Sequence, residues 1–136
     1  MTELLQIDGT EDTPAVSLDK RNSLFSIRGS SFPENAVEFY GKIISWINEI
    51  GASLTNELVC EFYLIYLNSA SNKMLYDIFN ELEIWYLRGK QISVKWIYDE
   101  MDEDMLELGE DFAELVELPF EFEAVEMDDE DEDDFF

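Results

Sequence analysis

The residues with the clearest chemical prospects are two serines. Ser69 and Ser71 stand in Tyr66-Leu67-Asn68-Ser69-Ala70-Ser71-Asn72-Lys73, where an apolar run gives way to a helical pattern. A helix start offers backbone N–H groups without partners and the positive end of a dipole, both of which favour an anion. Two readings fit a serine there. It is an N-cap, for which Ser is a preferred residue, or it is a hydroxyl that takes a phosphate and acts as a switch.

Other chemistry is sparse. The 136 residues include 33 Asp and Glu, 8 Lys and Arg and no His, for a formal charge of −25. Without histidine there is no Ser-His-Asp or Cys-His nucleophile, no imidazole base and little scope for zinc. Carboxylates are then the abundant catalytic groups, but acid–base work needs a pocket that separates two of them in pKa, and no motif marks one. The run Asp99-Glu100-Met101-Asp102-Glu103-Asp104 lacks the glycine and terminal glutamate of a calcium loop, so it reads as a solvated helix entrance. No Gly-rich phosphate loop is present. Cys60 stands alone in the sequence, which excludes an intramolecular disulfide or a thiolate cluster and suits a reducing compartment; it reads as a small apolar strand residue. The acidic balance excludes nucleic-acid binding through a basic footprint. Met1-Thr2-Glu3-Leu4-Leu5 has no basic leader pattern, and no stretch approaches 18 apolar residues. The expectation is a soluble cytoplasmic protein with no membrane partner, no cofactor and no metal.

The elements that position the serines follow from periodicity. Ala15–Leu18 and Leu24–Arg28, separated by Asp19-Lys20-Arg21-Asn22, read as a hairpin closed by Gly29. Ser30 or Ser31 offers a cap, Pro33 an early helical position and Glu34 a first-turn charge, which predicts a helix from about residue 33 to Gly51. Its apolar half is Ala36, Val37, Phe39, Tyr40, Ile43, Ile44, Trp46, Ile47 and Ile50. Residues 57–67 are apolar on both alternating faces and read as a central strand. The turn Asn68–Ser71 leads to a second helix with inner face Met74, Leu75, Ile78, Phe79, Leu82 and Trp85, ended by Gly89. Tyr76, Ile84 and Leu87 lie on its outer face, either as scattered exposed groups or as a docking surface. Ile92, Val94, Trp96 and Tyr98 alternate as a strand, Asp102–Val116 forms a third helix carrying Met105, Leu106, Phe112 and Ala113, and Pro119–Phe122 is a short edge strand. The order is ββαβαβα with room for a final strand, an α/β mixed sheet with helices packed against it.

Charge divides the chain. Residues 1–98 hold 13 acids and all 8 bases, whereas residues 99–136 hold 20 acids and no base. One domain over 1–125 is expected, followed by a disordered acidic tail from Glu126 to Phe136 that cannot bury apolar surface against its own repulsion.

Thr13-Pro14-Ala15-Val16, Gly29-Ser30-Ser31-Phe32-Pro33-Glu34-Asn35, Tyr66 to Lys73, and Trp96-Ile97-Tyr98-Asp99 through Gly109-Glu110-Asp111-Phe112 occur in this order. Together they resemble the SiaC family of bacterial regulatory phosphoproteins, from about residue 6 to about residue 125. The resemblance implies a single-domain fold like that of STAS-domain anti-sigma-factor antagonists and a phosphorylated residue in the strand-to-helix turn, which falls on Ser69. The family pattern often has Thr at 69, Ser at 70 and an aliphatic residue at 72. Ser69, Ala70 and Asn72 stand there in this chain, and Ser71 is a second candidate. Asn68 and Ser71 would support the site locally, with Lys73 as a charged neighbour, and Tyr76 and Ile84, or the turn Phe32-Pro33-Glu34, would dock a partner. The implied protein is not an enzyme. It takes part in partner switching, with a serine/threonine kinase carrying a histidine-kinase-like ATPase domain, a metal-dependent protein phosphatase, and an output protein such as a diguanylate cyclase bound in the unphosphorylated state, so that cyclic-di-GMP signalling is gated. Composition alone also fits an acidic decoy that imitates nucleic acid on a basic partner; a carboxylate-based hydrolase ranks last.

Overall fold

The computed structural model describes residues 4–126. Along the chain come β1 (Leu4–Ile7), β2 (Ala15–Asp19), β3 (Leu24–Ser31), α1 (Ala36–Gly51), β4 (Leu58–Leu67), α2 (Ser69–Leu87), β5 (Ile92–Asp99), α3 (Glu103–Leu115) and β6 (Phe120–Val125). They build one six-stranded sheet in sequence order, antiparallel from β1 to β3 and parallel from β3 to β6. Three successive right-handed crossovers that advance in one direction put α1, α2 and α3 on the same face. The α/β mixed sheet read from the sequence is therefore the observed one, with its final strand present.

The helix-facing side holds the core. Phe62 and Phe79 lie 4.9 Å apart, Phe79 and Phe112 4.9 Å, and Trp96 and Phe112 5.8 Å between ring centroids, joining β4, α2, β5 and α3. Trp96 sets how α3 approaches. Its indole N–H donates to the carbonyl of Met105 at 3.0 Å, and a Cβ at Gly109 would stand 2.4 Å from Nε1, so α3 rests on the ring only because residue 109 is glycine. Among the described residues no helix covers the other side of the sheet, which carries the ion pairs Arg28–Glu61 at 2.9 Å and Lys95–Glu123 at 3.4 Å.

The structure corrects four local expectations. β1 was not anticipated: Leu4–Ile7 is short and carries no turn signal, and it becomes a strand by pairing with β2, Leu5 opposite Leu18 and Ile7 opposite Val16. Ser30 and Ser31 do not cap α1, because β3 runs on through Gly29, with a register shift, until Ser31 pairs with Leu67. The cap is Asn35, whose Oδ1 accepts from the Glu38 amide at 3.0 Å, and α1 begins at Ala36. Val37, expected inside, is 67% exposed, and on β4 only the alternate set Leu58, Cys60, Phe62 and Leu64 is buried, since helices cover one face of the sheet. The acidic tail lies, apart from exposed Glu126, outside the described residues. Among those described, no helix is long and apolar enough to cross a membrane.

Candidate functional site

Ser69 is the first residue of α2, at the C-terminal end of β4. The chain turns there because Asn68 is extended, with φ −84° and ψ 172°, and its side-chain oxygen accepts from the Ser71 amide at 2.8 Å. Its backbone is pinned too: the Asn68 amide donates to the Ser31 carbonyl at 3.0 Å, and its own carbonyl accepts from Asn72 at 3.0 Å. Asn68, not either serine, is thus the N-cap. That frees Ser69, whose side chain is exposed at the N-terminal end of a 19-residue helix, where the helix dipole favours an anion.

Ser71 has the opposite surroundings. It is fully buried, and its Oγ accepts from Ser31 Oγ at 2.8 Å. Ser31 Oγ lies in turn 2.6 Å from the Tyr40 hydroxyl. This buried chain of three hydroxyls ties the end of β3, the second turn of α1 and the start of α2 together. Burial raises the Tyr40 pKa above its ordinary value, and its hydrogen bonds to Ser31 and Ser71 oppose the rise only in part. Sequence reading missed Ser31 and Tyr40 as members of the site. The available signal was a tyrosine on an apolar helix face, since a buried phenol needs a partner for its hydroxyl.

Around the turn, the surface is apolar and then acidic. Phe32 and Tyr66, 42% and 52% exposed, meet edge to face at 5.8 Å, and Ile65 beside them is also exposed. Pro33 is buried and shapes the turn, while Glu34 points outward. Tyr66 and Ile65 were hidden from sequence reading by the assumption that both faces of β4 are covered. A groove lined by Ile65, Tyr66, Leu67, Asp102, Asp104, Met105 and Leu108 opens next to them. Two carboxylates of the acidic run are engaged in turn formation: Asp99 accepts from the Met101 amide at 2.9 Å and Asp102 caps α3 through the Met105 amide at 3.0 Å.

Along α2, Lys73 is exposed one turn beyond Ser69 and lies 3.6 Å from Asp77. Tyr76 and Ile84 are exposed on the same helix, but Ile84 is 15 residues from Ser69, roughly 22 Å along the axis. The structure therefore gathers Asn68, Ser69, Lys73, Phe32 and Glu34 at one end of the sheet, with Ser71 and Pro33 beneath them, and leaves Ile84 on a separate surface.

A family model described as SiaC family regulatory phosphoprotein matches residues 7–125. An uncharacterized protein of Pseudomonas aeruginosa (strain UCBPP-PA14) is 37% identical over 120 residues, which is 88% of this chain and 95% of that protein. The solved structure of SiaC of Pseudomonas aeruginosa superposes with a TM-score of 0.84 at 35% identity, covering 91% of this chain and all of that one. A crystal structure of the diguanylate cyclase SiaD in complex with its activator SiaC, from the same organism, contains a chain that matches with a TM-score of 0.84 at 36% identity over 89% of this chain and 99% of that one.

Proposed function

Because this chain belongs to the SiaC family of regulatory phosphoproteins, we propose that it is a non-catalytic switch whose Ser69 is reversibly phosphorylated and whose unphosphorylated form binds and activates a diguanylate cyclase. One observation carries this reading. Of the two serines in the turn, Ser69 stands exposed at the first position of α2 while Ser71 is sealed beneath it. A kinase must reach the hydroxyl, and only Ser69 can be reached without opening the helix.

The proposed chemistry is electrostatic. Phosphate at Ser69 adds about −1.5 to −2 charges and three acceptor oxygens beside first-turn N–H groups that can hold them, so the fold survives modification. A partner seated on Phe32, Tyr66 and the turn then faces a dianion that it must desolvate, at a cost of several kcal/mol, roughly, when the charge is left unpaired. A cyclase of the kind that a relative of this chain activates is the expected output protein. The opposing enzymes are a serine/threonine kinase with a histidine-kinase-like ATPase domain and a metal-dependent phosphatase. Phosphorylation by such a kinase with ATP, followed by mass-spectrometric mapping, tests the assignment: phosphate on Ser69 is expected, and phosphate on Ser71 alone, or on neither, would refute it.

A further inference from the structure

The two edges of the sheet differ in a way the switch does not explain. At one edge β6 carries Glu121 and Glu123 among its six residues, and the acidic helix α3 leads into it. Charged side chains on an edge strand discourage further strand pairing. At the other edge β1 is Leu4-Leu5-Gln6-Ile7, without a charge, and among the described residues nothing pairs with its outer side. Leu4 is 51% exposed.

Beside β1 runs a groove of about 530 Å³, lined by Leu5, Val37, Gly41, Lys42, Ser45 and Trp46 and rimmed by Glu38 and Glu49. Gly41 is its unusual member. Glycine inside a helix is destabilising by roughly 1 kcal/mol relative to alanine, and here a Cβ would meet nothing within 4 Å. Nothing within one copy requires the absence of a side chain. Close approach of another backbone would.

We propose that the chain forms a two-fold dimer in which β1 of one copy pairs antiparallel with β1 of the other and the two α1 helices pack across the same axis at Gly41. A two-fold axis normal to the sheet extends it to twelve strands and keeps both helix layers on one side, so the groove of each copy receives Leu5 and Val37 of the other. Leu5 and Ile7 point to the helix side, opposite buried Leu18 and Val16, so same-face pairing sets Leu5 against Leu5 or Ile7 of the second copy. Antiparallel α1 helices that cross at Gly41 bring Lys42 of each copy toward Glu38 of the other. A four-residue strand alone is too small for a stable contact, and the helix face supplies the remaining area.

Lys42 and Glu38 on the same groove let this face complement itself across a two-fold axis, which fits a second copy as the occupant of the edge where two such acidic chains repel least. Of the 33 acids, 20 lie in residues 99–136, whereas residues 1–51 hold 8 acids and 4 bases. With strands about 4.8 Å apart, β6 lies roughly 24 Å from β1, well beyond the Debye length of about 8 Å in physiological salt. Pairing at β1 thus keeps the acids of α3 and β6 in the two copies apart. The Ser69 turns end up at opposite ends of the dimer, both accessible. Pairing β1 on β6 instead would propagate without closing.

Sedimentation equilibrium of the full chain in physiological salt, with Gly41→Glu and Gly41→Ala for comparison, tests this. The wild type is expected at twice the 15.9 kDa chain mass. Gly41→Glu should weaken self-association at least 100-fold while keeping the helical circular dichroism, because the single copy has room for the side chain. Gly41→Ala should weaken self-association too, by less than Gly41→Glu, and β1 amides should exchange slowly in the wild type and fast in Gly41→Glu. A wild type that stays monomeric at several hundred micromolar, or a dimer indifferent to Gly41→Glu, would overturn the proposal.

Discussion

At the scale of single residues, two serines two positions apart have opposite physical fates, and each fate predicts a different response to substitution. Ser69→Ala should keep a partner bound and become blind to the kinase, Ser69→Asp should imitate the phosphate only in part because it carries less charge and fewer acceptors, and Ser71→Ala should still be phosphorylated; radiolabel transfer to the three variants checks all of this. Beneath them, Tyr40→Phe deletes one hydroxyl from the buried chain and should cost about 1 kcal/mol in denaturant unfolding without altering the fold. The Tyr40 pKa is raised, so the folded state favours the neutral phenol. Its contribution is present below the ordinary tyrosine value near pH 10 and is lost as pH rises from there through the raised value. Tyr40→Phe should therefore flatten the alkaline fall of Tm. The turn itself was legible in the sequence, since Asn and Ser between a strand pattern and a helix pattern have few other uses. The Ser31–Tyr40 pairing was not, because it joins two elements through a contact that periodicity does not encode.

Among the elements, what could be read was what repeats. The inner face of α2, from Met74 to Trp85, is buried as its spacing required, and β4, β5 and α3 fall within a residue or two of their expected bounds. The misreadings have one cause: a helix wheel or an alternating strand shows which residues are apolar but not how far the neighbouring layer extends. Val37 lies beyond the cover over α1, and Ile65 and Tyr66 lie beyond the cover over β4. β1 escaped because its pairing with β2 creates it. Gly109→Ala probes the tightest contact between elements. Its methyl group would collide with the Trp96 indole and displace the bond to Met105, so a loss of roughly 1–3 kcal/mol is expected from overpacking, read by urea unfolding with tryptophan fluorescence. On the outer face of α2, Tyr76→Ala should weaken partner binding by about 1–2 kcal/mol with the fold intact if that face continues the docking surface from Ser69; calorimetry against the partner measures it.

For the molecule as a whole, uneven charge is the main organising fact. Residues 126–136 carry 8 acids and no base, and their deletion should move the melting transition by no more than a few degrees, since surface changes are usually worth about 0.5 kcal/mol or less; a large loss by calorimetric scanning would show that the segment docks on the body. The family match covers residues 7–125, so the acidic residues from 126 onward lie outside it. The whole account rests on a body that keeps its shape while its surface changes charge at one point. The most direct test is titration calorimetry of a diguanylate cyclase partner with this protein in two forms, unmodified and carrying phosphoserine at position 69 installed during synthesis. The account predicts tight binding of the unmodified form and affinity lower by at least 100-fold for the phosphorylated one, with matching circular dichroism; equal affinity of the two forms would contradict it.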